Sequence, residues 1–210
     1  VLGCVPVRED PRDVLVGSTV GHLHAGMVVG TGSARRASLL RSIEPQLDIQ
    51  GIRGNVDTRV QKQRDGLYDA VVLAAAGLKR LGRGGDIDGY FNVDQMVPAV
   101  GQGALAVQCR GNDDGMLEML QTIHCEVSSR AVDLERTFLA QLGGGCSVPA
   151  ACYAVEEGTK MRLRASYATR SGTLLRASEI ESEDKEFLIG NEIGHLKYPI
   201  ISRKGWDFDI

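Results

Sequence analysis

A chain of 210 residues with a hydrophobic content of 43% is long enough for one large or two small domains with a real core. No apolar run approaches the ~18 residues of a membrane helix, and the first residues lack the layout of a signal peptide, so we expect no membrane partner. The net charge of −3 argues against nucleic acid as a partner, because such binding depends on many phosphate-neutralising cations.

Between residues 27 and 81, short β-like runs alternate with helical ones, which predicts β-α-β units and a largely parallel sheet. The predicted strands are 27–29, 48–52 and 70–73, and the predicted helices are 34–43 and 56–64. Thr31 or Ser33 can cap the first helix and Asn55 the second, because their side chains accept from free amides of the opening turn. Ligands of open α/β sheets bind at the carboxyl ends of strands, where these polar junctions lie.

The residues after position 98 break this alternation. A strand-like run at 105–109 follows a glycine-rich stretch, so we expect a chain crossover between lobes. Helices are predicted over 113–122 and 128–142, the second with a buried stripe of Leu134, Phe138 and Leu142. From Met161 onward, apolar and polar residues alternate and a turn is predicted at 169–172, which indicates an antiparallel hairpin.

Arg35 and Arg36 fall in the first turn of a predicted helix, where the macrodipole disfavours a cation by about 0.3–1 kcal/mol. The pair becomes reasonable if an anion docks at the helix N-terminus and is shared by both side chains. The next two junctions repeat the theme with Arg53 and Arg59, then Lys79 and Arg80. These cations predict a groove for a polyanion. The alternative is a set of solvated helix faces in which the cations pair with Glu44, Asp48, Asp57 or Asp65.

The cysteines favour neither a zinc site nor a secreted disulfide framework, because the five form no Cys-x-x-Cys pair. We therefore predict no metal and a cytoplasmic location, or a plastid one if the source is eukaryotic. Since Val1 is not Met, we also expect a processed or truncated product.

Cys146 follows three glycines and precedes Ser147, so a bulky group can approach its sulfur. A functional thiolate needs an exposed and preferably electropositive setting, which the upstream arginines could supply. The alternative is that the glycines only cap the helix ending near Gln141, with Pro149 blocking its continuation. Cys146 is thus a candidate attachment point, and both interpretations remain open at this stage.

Several segments, in order and spacing, carry a family resemblance over roughly residues 8 to 154. They are Arg8-Glu9-Asp10-Pro11-Arg12-Asp13, Thr31-Gly32-Ser33-Ala34-Arg35-Arg36, Arg53-Gly54-Asn55-Val56-Asp57-Thr58-Arg59, Ala76-Gly77-Leu78-Lys79-Arg80-Leu81, Pro98-Ala99-Val100-Gly101-Gln102-Gly103 and the Cys146 loop. Together they resemble the porphobilinogen deaminase family, also called hydroxymethylbilane synthase. The resemblance implies head-to-tail condensation of four porphobilinogen molecules in haem or chlorophyll biosynthesis, with release of ammonia at each addition.

The resemblance also implies a dipyrromethane cofactor, bound through a thioether to Cys146. Each pyrrole carries acetate and propionate arms, and the planar fork of arginine suits such carboxylates. The other implied cofactor-binding residues are Arg35, Arg36, Ser33 and Thr31. The implied substrate-binding residues are Arg53, Arg59, Arg80 and Gln102, the last at a hinge between domains. The expected partners are porphobilinogen and the growing oligopyrrole, bound by a monomer.

The family fold predicts α/β lobes like those of periplasmic binding proteins, with a small α+β C-terminal domain built on an antiparallel sheet. The implied division is a remnant of the first domain at 1–8, a complete second domain at 9–97, a hinge and return segment at 98–122, and a third domain at 123–210. The resemblance implies that the family's catalytic aspartate lies in the first domain, most of which we expect to be missing from this sequence. We therefore assign no catalytic residue and expect this chain alone to be inactive. Asp10 and Asp13 are predicted to pair with Arg8 or Arg12.

Two other functions are compatible with parts of the sequence. A non-catalytic anion-binding module of the periplasmic-binding-protein type explains the arginines but not Cys146 among glycines. An RNA-binding fragment is disfavoured by the aromatic content of 5% and the acidic balance. An adduct of dipyrromethane mass on Cys146 would separate the deaminase from both.

Overall fold

The computed structural model describes residues 1–141, 150–168 and 174–182. The strands within these ranges are β1 (Leu2–Cys4), β2 (Asp13–Val16), β3 (Val28–Gly30), β4 (Asp48–Gln50), β5 (Ala70–Ala74), β6 (Gly89–Tyr90), β7 (Val107–Gln108), β8 (Ala150–Glu157), β9 (Lys160–Ala168) and β10 (Leu174–Ser182). The α-helices are α1 (Ala34–Ile43), α2 (Val56–Arg64), α3 (Ala75–Arg80), α4 (Asp114–Gln121) and α5 (Glu126–Gln141). Across the described ranges, every helix is too short or too polar to cross a membrane.

A mixed five-stranded sheet, in the order β4-β3-β5-β2-β6, forms the larger α/β region. β3 pairs in parallel with both β4 and β5, as the β-α-β pattern predicted. β2 and β6, which the pattern did not predict, extend the sheet through antiparallel pairing. The α/β class is therefore confirmed, whereas the expectation of a largely parallel sheet holds only for the half that contains β3, β4 and β5.

Both faces of this sheet are buried. Along β5, Ala70 and Val72 belong to one core cluster, whereas Val71 and Leu73 belong to the other, as the two-residue period of a strand requires. The first cluster includes Leu39 and Leu40 of α1, and the second includes Val60 of α2 and Leu78 of α3. Since fully burying one such side chain stabilises the fold by about 1.5–3 kcal/mol, packing from both faces fixes the sheet.

Two helices begin directly after β3 and β4, with the predicted bounds. The Ser33 hydroxyl accepts from the Arg36 N–H at 3.4 Å, and the Asn55 side chain accepts from the Thr58 N–H at 2.9 Å. Thr31 is not the cap, because its hydroxyl accepts from the Ser33 N–H at 3.2 Å inside the preceding loop. The caps therefore fix both loops at one edge of the sheet.

The C-terminal region packs α5 against an antiparallel sheet in the order β10-β9-β8. Leu134 and Phe138 of α5 are buried against Cys152 and Leu163, which confirms the predicted stripe for these two residues. Leu142 and the predicted turn at 169–172 lie outside the described residues. The predicted hairpin corresponds to antiparallel β9 and β10, and β8 adds a strand on the other side.

β1 and β7 form a separate antiparallel pair that links the first residues to those after the crossover. Near this crossing, the Glu9 N–H donates to the Gly103 carbonyl at 3.2 Å. Gly103 has φ +86°, and a Cβ at this position would collide with the carbonyl of Glu9. Only glycine allows the two segments to touch here.

Candidate functional site

A cavity of about 820 Å³ lies beside the loops that follow β3 and β4. Its lining residues are Gly32, Ser33, Arg36, Gly51, Ile52, Arg53, Arg59 and Lys62. Four of these side chains are cationic, and none of the lining residues is acidic. The structure thus brings Ser33, Arg36, Arg53 and Arg59, four of the sequence-predicted site residues, to one place.

The cations that α2 contributes to the cavity have backbone partners instead of carboxylates. Arg59 donates from Nε to the Gly54 carbonyl at 2.8 Å, and the Lys62 ammonium donates to the Arg53 carbonyl at 3.1 Å. Within the part of the chain that the structure describes, Arg53, Arg59 and Lys62 have no acidic partner. Their positive charge therefore remains available to an anion in the cavity.

None of the four acids named in the alternative pairs with a cavity cation among the described residues, and Glu44 instead accepts from the Gln46 N–H at 3.0 Å. Asp57 pairs with Arg83 at 2.7 Å, and the Asp48 carboxylate accepts from the Gln50 amide at 2.8 Å. The Asp65 carboxylate accepts from Gln61 at 2.7 Å. These acids are occupied on the outer surfaces of the elements.

Arg35 and Arg36 share the carboxylate of Asp13, whereas the sequence predicted that they share an anionic ligand; the ligand contact stays a prediction. Arg35 Nη1 lies 2.7 Å from Asp13 Oδ2, and Arg36 Nη2 lies 2.7 Å from Asp13 Oδ1. The side chain of Asp13 is 0% exposed and that of Arg35 is 6% exposed. Burial alone would raise the pKa of Asp13, but the attraction of Arg36 and Arg35 outweighs it and the pKa is lowered. Burial lowers the pKa of Arg35, and Asp13 opposes this change.

Gln102 belongs to the same buried cluster. Its amide nitrogen donates to the Pro11 carbonyl at 2.6 Å and to Asp13 Oδ1 at 3.1 Å, while its oxygen accepts from Arg35 Nη2 at 3.3 Å. Arg35 also donates from Nη1 to the Val97 carbonyl at 2.6 Å. Neither Arg35 nor Gln102 is among the residues that line the cavity.

The predicted pairing of Asp13 with Arg8 or Arg12 is therefore wrong. Arg8 instead forms a bidentate pair with Glu135, at 2.6 and 3.2 Å. The buried Glu135 carboxylate also accepts from the backbone N–H groups of Gly101 at 2.6 Å and Ala154 at 2.8 Å. The prediction is confirmed for Asp10, which pairs with Arg12 at 2.7 Å.

The third junction does not contribute to this cavity. α3 follows β5 without an intervening loop, and its cations lie in its last turn. Lys79 pairs with Glu9 and Asp10, each at 3.2 Å, and Arg80 donates to the Gly103 carbonyl at 2.6 Å. The predicted groove over three junctions thus reduces to two, and a substrate contact for Arg80 stays a prediction.

Two residues remain: Cys146, which was predicted to bind the cofactor, and Lys62, which was not predicted. Cys146 lies outside the described residues, so its role stays a prediction. Lys62 lines the cavity but was not predicted, because it lies inside α2, away from the strand–helix junctions at which cations were expected. Its spacing of three residues from Arg59 on α2 was the available signal, since such residues share a helix face.

Comparison with known proteins agrees with the motifs. Residues 1–118 match the family model of the porphobilinogen deaminase dipyromethane cofactor binding domain, and residues 129–196 match that of the porphobilinogen deaminase C-terminal domain. A porphobilinogen deaminase of Geobacillus kaustophilus (strain HTA426) is 46% identical over 210 residues, which cover 98% of this chain and 66% of that protein. One of Roseiflexus sp. (strain RS-1) is 45% identical over 181 residues, which cover 85% of this chain and 60% of that protein.

The chain therefore spans between 60% and 66% of the length of these two relatives. The two matched domains account for most of the sequence and follow one another in chain order. The chain belongs to the porphobilinogen deaminase family.

Proposed function

We propose that the protein containing this chain is a hydroxymethylbilane synthase, which joins four porphobilinogen molecules head to tail. Each condensation forms one carbon–carbon bond between pyrrole units and releases one ammonia. The observation that carries this proposal is the cavity of about 820 Å³, lined by Arg36, Arg53, Arg59 and Lys62 without an acidic residue. A ligand whose pyrroles each bear two carboxylates supplies the anions that this lining lacks.

The residues present fit the dipyrromethane cofactor of the family. Arginine binds carboxylates through two parallel N–H groups and keeps its charge at all physiological pH values. Ser33 lines the cavity beside Arg36, and the first turn of α1 adds backbone N–H groups. When bound, the dipyrromethane supplies the free α-carbon to which the first porphobilinogen is joined.

Within this proposal, Arg53 and Arg59 bind and orient substrate carboxylates, and Arg36 binds those of the cofactor. Arg35 is held by Asp13, Val97 and Gln102, so we propose that it supports the cofactor-binding position from behind Arg36 and reaches a carboxylate only as this cluster shifts. Thr31 helps to hold the loop that carries Ser33. Gln102, in the crossover, donates to the Pro11 carbonyl, and Arg80 donates to the Gly103 carbonyl, so both are proposed to position the crossover.

We also propose a division of the chain into domains. The mixed sheet fits a second domain at 9–97 with a lobe of the periplasmic-binding-protein type, and α5 with its antiparallel sheet fits a third domain at 123–210. The pairing of β1 with β7 fits a remnant at 1–8 that meets a return segment at 98–122. We further propose that the protein works as a cytoplasmic monomer.

Cofactor attachment is tested by the intact mass of the complete protein. We expect the wild-type mass to exceed the sequence mass by one dipyrromethane and the Cys146→Ser variant to lack this increment. Cys109→Ser is the matched control, because Cys109 is a free and partly exposed thiol that should leave the increment unchanged. A wild-type protein with neither the increment nor turnover of porphobilinogen would contradict the proposal and favour a non-catalytic anion-binding module.

A second experiment compares residues 1–210 with the complete protein in an assay for hydroxymethylbilane. We expect turnover only from the complete protein, because the family's catalytic aspartate is proposed to lie outside this chain. Turnover at an enzyme-like rate by residues 1–210 would place the essential acid within these residues.

A further inference from the structure

Lys62 is a cavity cation to which neither the sequence nor the family motifs gave a role. It lies on α2, three residues after Arg59, and the two side chains leave the same helix face. Its ammonium donates to the carbonyl of Arg53 at 3.1 Å, and all three residues line one cavity. Lys62 thus stands within reach of the same ligand as the two arginines.

The balance of charge indicates a function for Lys62 beyond tethering the loop. Arg36 shares its charge with Asp13, whereas Arg53, Arg59 and Lys62 have no acidic partner in the described residues. One porphobilinogen carries two carboxylates, and two joined pyrroles carry four. Arg53 and Arg59 alone would leave a two-ring ligand with uncompensated negative charge, which is costly in a partly enclosed cavity.

We propose that Lys62 binds a carboxylate arm of the pyrrole ligand, exchanging the Arg53 carbonyl for that carboxylate. This inference rests on the proposed function and adds a substrate-binding residue to it. A lysine suits the exchange, because its ammonium is a compact charge on a flexible stem. The carboxylate is also the stronger partner, since a hydrogen bond between two ionised groups is roughly twice as strong as a neutral one.

The first test is Lys62→Gln in the complete protein, with porphobilinogen as the varied substrate. Glutamine keeps an N–H donor for the Arg53 carbonyl but removes the charge, so the loop tether is retained. We expect KM to rise about fivefold to tenfold with kcat within about twofold, and Lys62→Arg to restore KM to within about twofold of wild type. An unchanged KM in Lys62→Gln would overturn the proposal.

A matched control separates this effect from the loss of one positive charge anywhere on the protein. Arg41→Gln changes the net charge equally at an exposed position in the last turn of α1. We expect its KM to equal that of wild type. An equal rise of KM in Arg41→Gln and Lys62→Gln would show a general charge effect and would also contradict a specific contact.

The second test does not depend on turnover. The complete protein is treated with an amine-reactive acetylating reagent, with and without porphobilinogen, and labelling is measured by peptide mass spectrometry. We expect porphobilinogen to reduce labelling of Lys62 at least about threefold and to leave the exposed Lys160 unchanged. Equal labelling of Lys62 in an active protein contradicts only the Lys62 proposal, whereas a protein without turnover and without a cofactor adduct contradicts the proposed function itself.

Discussion

Two clusters of cations lie close together along the chain yet differ in their partners. In the Asp13 cluster (Asp13, Arg35, Arg36 and Gln102), a buried carboxylate meets two guanidinium groups. In the cavity cluster (Arg53, Arg59 and Lys62), Arg59 and Lys62 donate to backbone carbonyls, and none of the three has an acidic partner among the described residues. Arginine therefore stabilises the fold where the protein itself supplies a buried carboxylate. Where the described residues supply none, its charge is available to a ligand.

The comparison predicts that mutations of built-in carboxylates reduce stability, whereas mutations of cavity cations reduce ligand affinity. Arg36 belongs to both settings, because it contacts Asp13 and also lines the cavity. Mutation of Arg36 should therefore reduce both stability and ligand affinity.

The largest expected effect comes from the second built-in carboxylate, Glu135. Glu135→Ala leaves the Arg8 guanidinium and two backbone N–H groups without their partner in a buried setting. We expect the free energy of unfolding to fall by about 3–5 kcal/mol, measured by urea denaturation of the complete protein. Glu118→Ala, at an exposed position on α4, is the control and should change it by less than about 0.5 kcal/mol. A loss below about 1 kcal/mol for Glu135→Ala would break the comparison.

Asp13→Asn is expected to have the next largest effect. Asparagine has nearly the shape of aspartate but lacks the charge, so Arg35 and Arg36 would face each other without a counter-ion. We expect a loss of about 3 kcal/mol in the free energy of unfolding at neutral pH, by the same measurement. A variant as stable as wild type would show that the two guanidinium groups do not need this carboxylate.

Arg53→Gln should show the opposite behaviour. Arg53 has no carboxylate partner in the described residues, so we expect the free energy of unfolding to stay within about 0.5 kcal/mol of wild type. Loss of a charge-assisted contact should raise KM for porphobilinogen about tenfold, which corresponds to about 1.4 kcal/mol. A destabilised variant with an unchanged KM would show that Arg53 stabilises the fold and does not bind the substrate.

The smallest loss of stability among the three carboxylates is expected for Asp10. Like Asp13 and Glu135 it pairs with cations, but its partners Arg12 and Lys79 are partly exposed. The hydrogen bond from Arg12 is the main cause that lowers the pKa of Asp10 from 3.8 to about 2. A lowered pKa stabilises the fold above the unfolded value, and this contribution disappears as the pH falls from about 4 to 2. We expect Asp10→Asn to cost about 1 kcal/mol at pH 7 and progressively less as the pH falls toward 2, measured by urea denaturation across this range. A cost that does not change with pH would exclude the charge as its origin.

Local signals predicted much of the α/β region. Ser33 and Asn55 are strong N-caps placed just before apolar periodic runs, and α1 and α2 begin directly after them. β2 was not predicted, because a run of four residues shows no period long enough to identify it and its pairing with β5 spans more than fifty residues. Strand pairing at that distance is determined by tertiary packing, which a single sequence does not display.

Site residues could be predicted where their position within a helix was sufficient to identify them. A cation pair at the start of α1 predicted a shared anion, and the structure supplies one from the protein itself instead of from a ligand. Its identity as Asp13 could not be predicted, because that residue approaches only when β2 enters the sheet beside β5. The spacing of Lys62 from Arg59 was visible in the sequence, but its proximity to Arg53 was not, since that depends on how α2 packs against the loop after β4.

The close backbone contact at Gly103 also constrains the Asp13 cluster. With no side chain as a spacer, the outgoing and returning segments lie backbone against backbone, next to the amide of Gln102 that joins the Asp13 cluster. Any larger residue at position 103 would push the two segments apart, and Gln102 would move relative to Asp13 and Arg35, which its amide contacts. A point that lines no part of the cavity thereby limits which sequences can keep the cavity intact.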